Sequence, residues 1–155
     1  MWGRELSKCV FISKSEEETK KLGELIAKAV PEGTVIVLKG DLGCGKTALT
    51  RGIARGLGIP EDEISSPSFN IVHEYEKLIH IDLYRLGSIE EAEDFGLYEL
   101  LEDSRLKVVE WGEELLREFP NAVLIECSEE NGKRVFKISD PTGKICQKIN
   151  RIAEE

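Results

Sequence analysis

Residues 40–47 read GDLGCGKT, and residues of these types at this spacing suit one task, the holding of phosphate. Gly40, Gly45, Lys46 and Thr47 satisfy the pattern G-x-x-x-x-G-K-[ST]. Glycines let the backbone turn sharply and approach an anion closely, so that successive N–H groups face inward as a nest. Asp41, Leu42, Gly43 and Cys44 fill the loop between the fixed positions. Lys46 has the reach for the β- and γ-phosphates of a nucleotide, and the Thr47 hydroxyl is of the kind that ligates Mg²⁺. Cys44 stands where only a small side chain is needed, which is reason enough for a cysteine. Its place near a helix N-terminus, where thiolates are favoured, leaves a reactive thiol open.

Phosphate chemistry also calls for carboxylates. Asp82 closes LIHID and Glu110 closes LKVVE, each at the end of an apolar run. Ligands of open α/β sheets gather at the carboxyl ends of strands, so the pair is expected to attend Mg²⁺ and the attacking group, with Lys46 as the third catalytic residue. His80, two residues before Asp82 on the same strand face, reads as a packed, hydrogen-bonded histidine. Arg51 and Arg85 are candidates for phosphate contact and equally for salt bridges. Ser66 and Ser68, on the proline-stiffened SSPSF loop, occupy the place of a γ-phosphate-sensing switch.

The elements that must position these groups follow from periodicity. VIVL at 35–38 has no polar alternation, as in a strand covered on both faces. The stretch 46–58 carries Leu49, Ile53 and Leu57 on one helical stripe and stops at Gly58 and Pro60. Before them come a strand over 8–13 and a helix over 15–30, opened by a capping box of Ser15 and Glu18. After them come two strands in NIVHEY and KLIHIDLYR with a very short turn. The stretch 88–103 is expected as two short helices interrupted near Gly96, with a second capping box of Ser88 and Glu91. A strand over 106–111 and a short helical stretch at EELLREF follow. AVLIECS and KRVFKIS form a hairpin about Asn131-Gly132, and the tail reads as a short helix or a strand. The expectation is one α/β domain over 1–155, with a mostly parallel central sheet, helices on both faces and antiparallel additions.

Composition agrees. The chain has 155 residues, 41% of them hydrophobic, and a formal net charge of −9; phosphate neutralisation by a basic face is not its mode of meeting nucleic acid. Its apolar runs are too short to span a bilayer, and its start lacks the apolar region of a secretory signal. A cytoplasmic protein is expected, with no membrane partner. The four cysteines are widely spread without a CxxC pair and read as reduced, mostly buried thiols.

Taken in order, GDLGCGKT, Arg51-Gly52, SPSF, HIDLYRL, FGLYELL and VVEWGE resemble the bacterial TsaE (YjeE) family, the P-loop ATPases of tRNA threonylcarbamoyladenosine biosynthesis. The resemblance runs from about Glu16 to Glu113 and more loosely through the hairpin. It implies a P-loop NTPase fold, ATP with Mg²⁺, weak hydrolysis by the isolated protein and docking on the paired proteins TsaD and TsaB, with tRNA met only through that complex. It also implies that Thr47 and Glu110 contact Mg²⁺ and that Asp82 stands behind them or orients the water. Trp111 would lie beside the site, Ser68 would keep a hydroxyl where the family has threonine, and Glu16 and Lys133 or Arg134 would touch the nucleotide. Cys44 replaces a usual alanine. A small-molecule kinase with Asp82 as base is the competing reading. The natural lid segment, GSIEEAEDFGLYELLED, carries no arginine for it, and no N-K-x-D guanine reader appears.

Overall fold

The structure, a computed structural model, describes residues 7–41, 43–64, 71–84, 89–94 and 96–154. Leu42, Ser66, Ser68, Arg85 and Ser88 lie outside the described residues, and with them the switch loop, one candidate phosphate contact and the second capping box.

Seven strands form one sheet in the order β1-β7-β6-β2-β5-β4-β3. Its centre is parallel: β2 (Val35–Lys39) lies between β6 (Val123–Glu130) and β5 (Leu106–Glu110), and β4 (Leu78–Asp82) follows β5. The antiparallel additions sit at the edges. β3 (Val72–Glu74) pairs with β4, while β7 (Lys133–Asp140) and β1 (Ser7–Ser13) extend the sheet beyond β6.

Alternation along the strands divides the core in two. From β2, Ile36 and Leu38 pack with Val108, Ile125 and Phe136 against α1 (Glu16–Ala29), α2 (Lys46–Gly56) and α5 (Ile145–Glu154). Val35 and Val37 face the other way, with Ile79, Ile81 and Val109, towards Leu97 and Leu101 of α4 (Leu97–Leu101). Both faces of the central strands are thereby dry, which is why VIVL shows no alternation. The expected interruption of 88–103 falls as described: α3 (Ile89–Asp94) and α4 are separated at Gly96, which takes φ 88°. The EELLREF stretch forms a 3₁₀ turn, Glu113–Arg117, and the tail is the helical alternative.

Two local devices set the first helix against the P-loop helix. The Ser15 hydroxyl accepts from the Glu18 N–H at 3.1 Å, and the Glu18 carboxylate accepts from the Lys14 N–H at 2.6 Å, one position earlier than in a standard capping box. Along the seam, Gly23 and Gly52 let the helices touch backbone to backbone. A Cβ built on Gly52 would lie 2.1 Å from the Lys20 carbonyl oxygen. Arg55 then pins α2 to α1 through Glu17 and Glu24, and to Glu61 beyond its end.

The expectation that all four cysteines are reduced is corrected at two of them. Cys9 of β1 and Cys146 of α5 are joined by a disulfide, with Cα atoms 6.0 Å apart. The cause is topological: β7 returns the chain alongside β1 and α5 then folds back over it, so that cysteines 137 positions apart in sequence become neighbours. Cys44 and Cys127 are free and buried.

Candidate active site

The glycine loop leaves the end of β2 and enters α2 at Gly45, whose φ of 118° belongs to glycine's range. Gly40, at φ 155°, has a further constraint. A Cβ there would meet the Cys127 carbonyl oxygen at 2.6 Å and the Cys44 sulfur at 2.7 Å. Lys46, the first residue of α2, is buried; its Nζ donates to the Gly40 carbonyl at 2.7 Å and lies 4.3 Å from the centre of the Trp111 ring. The ammonium is thus held by the loop's first carbonyl and by an aromatic face, at the positive end of the helix. Thr47 stands beside it in the first turn, and Thr50 returns its hydroxyl to the Lys46 carbonyl.

The strand-end acids come together as expected. β4 and β5 are parallel neighbours in a register that sets Asp82 against Glu110, and β5 itself adjoins β2. Asp82 accepts from the Tyr84 N–H at 2.9 Å. Burial, and then the Glu110 charge close by, raise its proton affinity above the ordinary carboxylate range. Glu110 is itself buried, and its Oε2 lies 2.5 Å from His80 Nε2. His80 is therefore the packed, hydrogen-bonded histidine expected, and its partner is a catalytic candidate.

Trp111 follows Glu110 directly with φ 62°, a conformation that costs a bulky residue about 1–3 kcal/mol. The turn swings its ring out of the strand direction, between Lys46 and Tyr84, whose ring centre is 4.9 Å away. Gly112 lets the chain turn back against the strand: a Cβ there would come within 2.7 Å of the Val109 side chain. From the far side of the loop, Arg134 at the start of β7 donates to the Gly43 carbonyl at 2.8 Å. Lys133 is exposed at the first residue of that strand.

Glu16 and Arg51 lie together along the α1–α2 seam. Glu16 is exposed on the first turn of α1, within 4.0 Å of Lys20 and Arg51. Arg51 donates to the Ile64 carbonyl at 3.2 Å, so its guanidinium serves the salt-bridge alternative. The feature that sequence reasoning missed is Cys127. Its thiol donates to the Cys44 carbonyl at 2.8 Å, beneath the loop. Alternation along β6 was the available signal, since Cys127 shares a face with Val123 and Ile125. The Cys127 thiol also lies within hydrogen-bonding reach of the Cys44 thiol; that interaction, with the Lys46 and Arg134 charges added, pulls Cys44 down to about 7, while Cys127 itself is pushed up.

Among the described residues no three His, Cys, Asp or Glu side chains gather as a metal cage. The donor set is one hydroxyl, of Thr47, and two carboxylates, of Asp82 and Glu110, beside the glycine loop, which fits a Mg²⁺ ion shared with phosphate oxygens and water rather than one enclosed by protein. A cavity of about 570 Å³ opens at the opposite ends of the strands, around Gly33, Thr34, Val35, Ala122 and Val123, and no site residue reaches it.

A glycine loop between a central parallel strand and a helix, with acids on the two next strand ends, defines an α/β protein of the P-loop class. The family model for threonylcarbamoyl adenosine biosynthesis protein TsaE matches residues 13–136, and the chain belongs to that family. The tRNA threonylcarbamoyladenosine biosynthesis protein TsaE of Treponema pallidum (strain Nichols) is 40% identical over 112 residues, 70% of this chain and 82% of that protein. Its namesake in Bacillus subtilis (strain 168) is 35% identical over 144 residues, 87% and 89% of the two chains. The crystal structure of Bacillus subtilis YdiB superposes with a TM-score of 0.77 at 27% identity, covering 96% of this chain and 98% of that one. The small-molecule kinase is accordingly not favoured. No helix among the described residues is long and apolar enough to cross a membrane.

Proposed function

We propose that this chain is a Mg²⁺-dependent ATPase that drives or resets a TsaD–TsaB complex during formation of threonylcarbamoyladenosine on tRNAs reading A-starting codons. Transfer to the tRNA belongs to the partners, and the protein works in the cytoplasm. The single observation that carries the catalytic half is the register of Asp82 with Glu110 at strand ends next to the loop of Lys46 and Thr47. The family carries the pathway half. The net charge of −9 agrees with tRNA being gripped by partners rather than by this surface.

The residues divide the work by their chemistry. The N–H groups of Gly43, Gly45, Lys46 and Thr47, with the N-terminus of α2, would form the anion cradle. Lys46 has three donors, of which Gly40 takes one, leaving two for phosphate oxygens. Thr47 and Glu110 would hold Mg²⁺, with Asp82 behind them, and the ion would neutralise charge developing on the β- and γ-phosphate oxygens. Asp82, with its raised proton affinity, is suited to orient a water and take its proton. Arg134 braces the loop at Gly43.

Phosphate release measured alone and with TsaD and TsaB tests both halves. Turnover is expected to be weak alone and to change with the partners, and Thr47→Ala or Glu110→Ala is expected to abolish its Mg²⁺-dependent part. Phosphate appearing on a small acceptor without response to the partners would refute the pathway half. Near-normal turnover in both variants would refute the metal assignment.

A further inference from the structure

We infer that His80 is a positioning residue for Glu110, fixing the carboxylate that the ATPase reading above, on which this inference rests, sets against Mg²⁺. The register of β4 with β5 places His80 opposite Val108 and Asp82 opposite Glu110, so His80 and Asp82 share one face of β4. From one pleat below the strand end, the imidazole reaches forward to Glu110, with Nε2 2.5 Å from Oε2. The two side chains are 2% and 7% exposed, so water does not compete for this bond. A glutamate at a strand end otherwise chooses among several rotamers; with one oxygen tied to His80, the other is presented to the site in a single direction.

The hydrogen-bond pattern also fixes which nitrogen is the donor. His80 Nδ1 is buried and, among the described residues, has no hydrogen-bond partner. A proton on Nδ1 would leave a buried donor unsatisfied and set the Nε2 lone pair against a carboxylate oxygen, two separate penalties. With the proton on Nε2, the short contact is a charge-assisted hydrogen bond and only a lone pair is left without a partner. The imidazole is therefore built to donate in one direction, to Glu110. Residues that orient a ligating group in this way typically alter metal affinity or activity about 10–100-fold when changed.

Three variants test it by what each can reach. His80→Ala removes the donor. His80→Gln carries an amide N–H at about the reach of Nε2, and His80→Asn carries one only as far as Nδ1. Thermal midpoints first establish that each is folded; should His80→Ala not fold, the comparison of Gln with Asn carries the test. Expected for Ala and Asn is a fall in kcat/KM for ATP of roughly 10–100-fold, and for Gln a recovery of most of that loss. A readout independent of turnover is the affinity for a fluorescent ATP analogue in Mg²⁺ and in EDTA. The tightening by Mg²⁺ should shrink in Ala and Asn and persist in Gln, while the EDTA affinities stay alike. Equal impairment of Gln and Asn, or a wild-type Mg²⁺ response in Ala, overturns the positioning role. A wild-type chain that binds nucleotide with a normal Mg²⁺ response but hydrolyses none, with or without partners, overturns the ATPase reading alone. One whose nucleotide binding ignores Mg²⁺ overturns both.

Discussion

Gly52→Ala is the substitution that best separates helix propensity from packing in this chain. In an isolated helix the change is favourable by about 1 kcal/mol, because alanine gives up less backbone freedom than glycine. Here the new methyl would sit 2.1 Å from the Lys20 carbonyl oxygen and 2.7 Å from Lys20 Cα and carbonyl carbon. These are backbone atoms in the middle of α1, so no side chain can swing aside. Ordinary contact requires the seam to open by about 1 Å, a gap that forfeits a quarter to a half of the dispersion attraction across it. Leu22 and Ile26 on one side and Leu49 and Ile53 on the other would lose close packing together. Overpacking of this kind costs about 3 kcal/mol at the upper end of its usual range; the propensity gain returns about 1, leaving roughly 2 kcal/mol of net destabilisation. Thermal unfolding should register a fall of about 4–8 °C for a domain of this size. Gly23→Ala, with its Cβ 2.4 Å from the Leu49 carbonyl oxygen, should behave similarly. An unchanged or raised midpoint for Gly52→Ala would mean that the helices do not lie backbone to backbone, and the account of how α2 and its loop are anchored would fail with it.

Reduction of the Cys9–Cys146 disulfide removes a link across 137 positions and should lower stability by about 2–5 kcal/mol in chemical denaturation; Cys9→Ser with Cys146→Ser should match the reduced protein, and a midpoint indifferent to reductant would refute the link. Cys44, drawn down to about 7, should be alkylated by iodoacetamide with a pH profile centred near 7 rather than at the free-thiol value of about 8.5. Because the thiol is buried the rate will be slow, so the profile carries the prediction: thiolate, and with it reactivity, grows as pH rises through 7. Peptide mapping should find Cys127 untouched over the same range, and a profile centred on the free-thiol value would refute the assignment.

The site was legible in sequence wherever chemistry and periodicity coincide. Gly40, Gly45, Lys46 and Thr47 form a local motif, and Asp82 and Glu110 each end an apolar run, so their strand-end positions follow from one-dimensional information. What sequence reasoning did not reach was pairing across the sheet. That His80 meets Glu110, that Cys127 lies under Cys44, and that Cys9 meets Cys146 all depend on strand order, and strand order is set by packing between elements distant in the chain. Lys107 makes the same point inside an apolar run. It is fully buried in β5, donating to the carbonyls of Gly33 and Asp103, with burial holding its pKa below the ordinary lysine value. Periodicity marks such a lysine as buried; only the fold supplies the carbonyls that make burial tolerable. Glu16 was out of reach of periodicity altogether. Its place at the start of α1 was transferred from a resemblance, while in this chain Lys20 and Arg51 lie beside it at the α1–α2 seam.

The arrangement also accounts for why the acids stand where they do. β2, β5 and β4 are consecutive parallel neighbours, and strand spacing in a sheet is close to 4.8 Å. The loop, Glu110 and Asp82 therefore advance from the phosphate cradle in steps of one strand, with the two carboxylates side by side. Like charges at that separation oppose each other, and the sheet answers the opposition differently for each. Glu110, one strand from the loop, is tied through Oε2 to His80. Asp82, one strand further, receives burial and the Glu110 charge, which favour its protonated form. Under the proposed function the two would divide the work: the carboxylate nearer the cradle would face the cation, and Asp82 behind it, with its raised proton affinity, would take the proton. The strand order, and not the glycine motif alone, thus sets which carboxylate stands next to the loop.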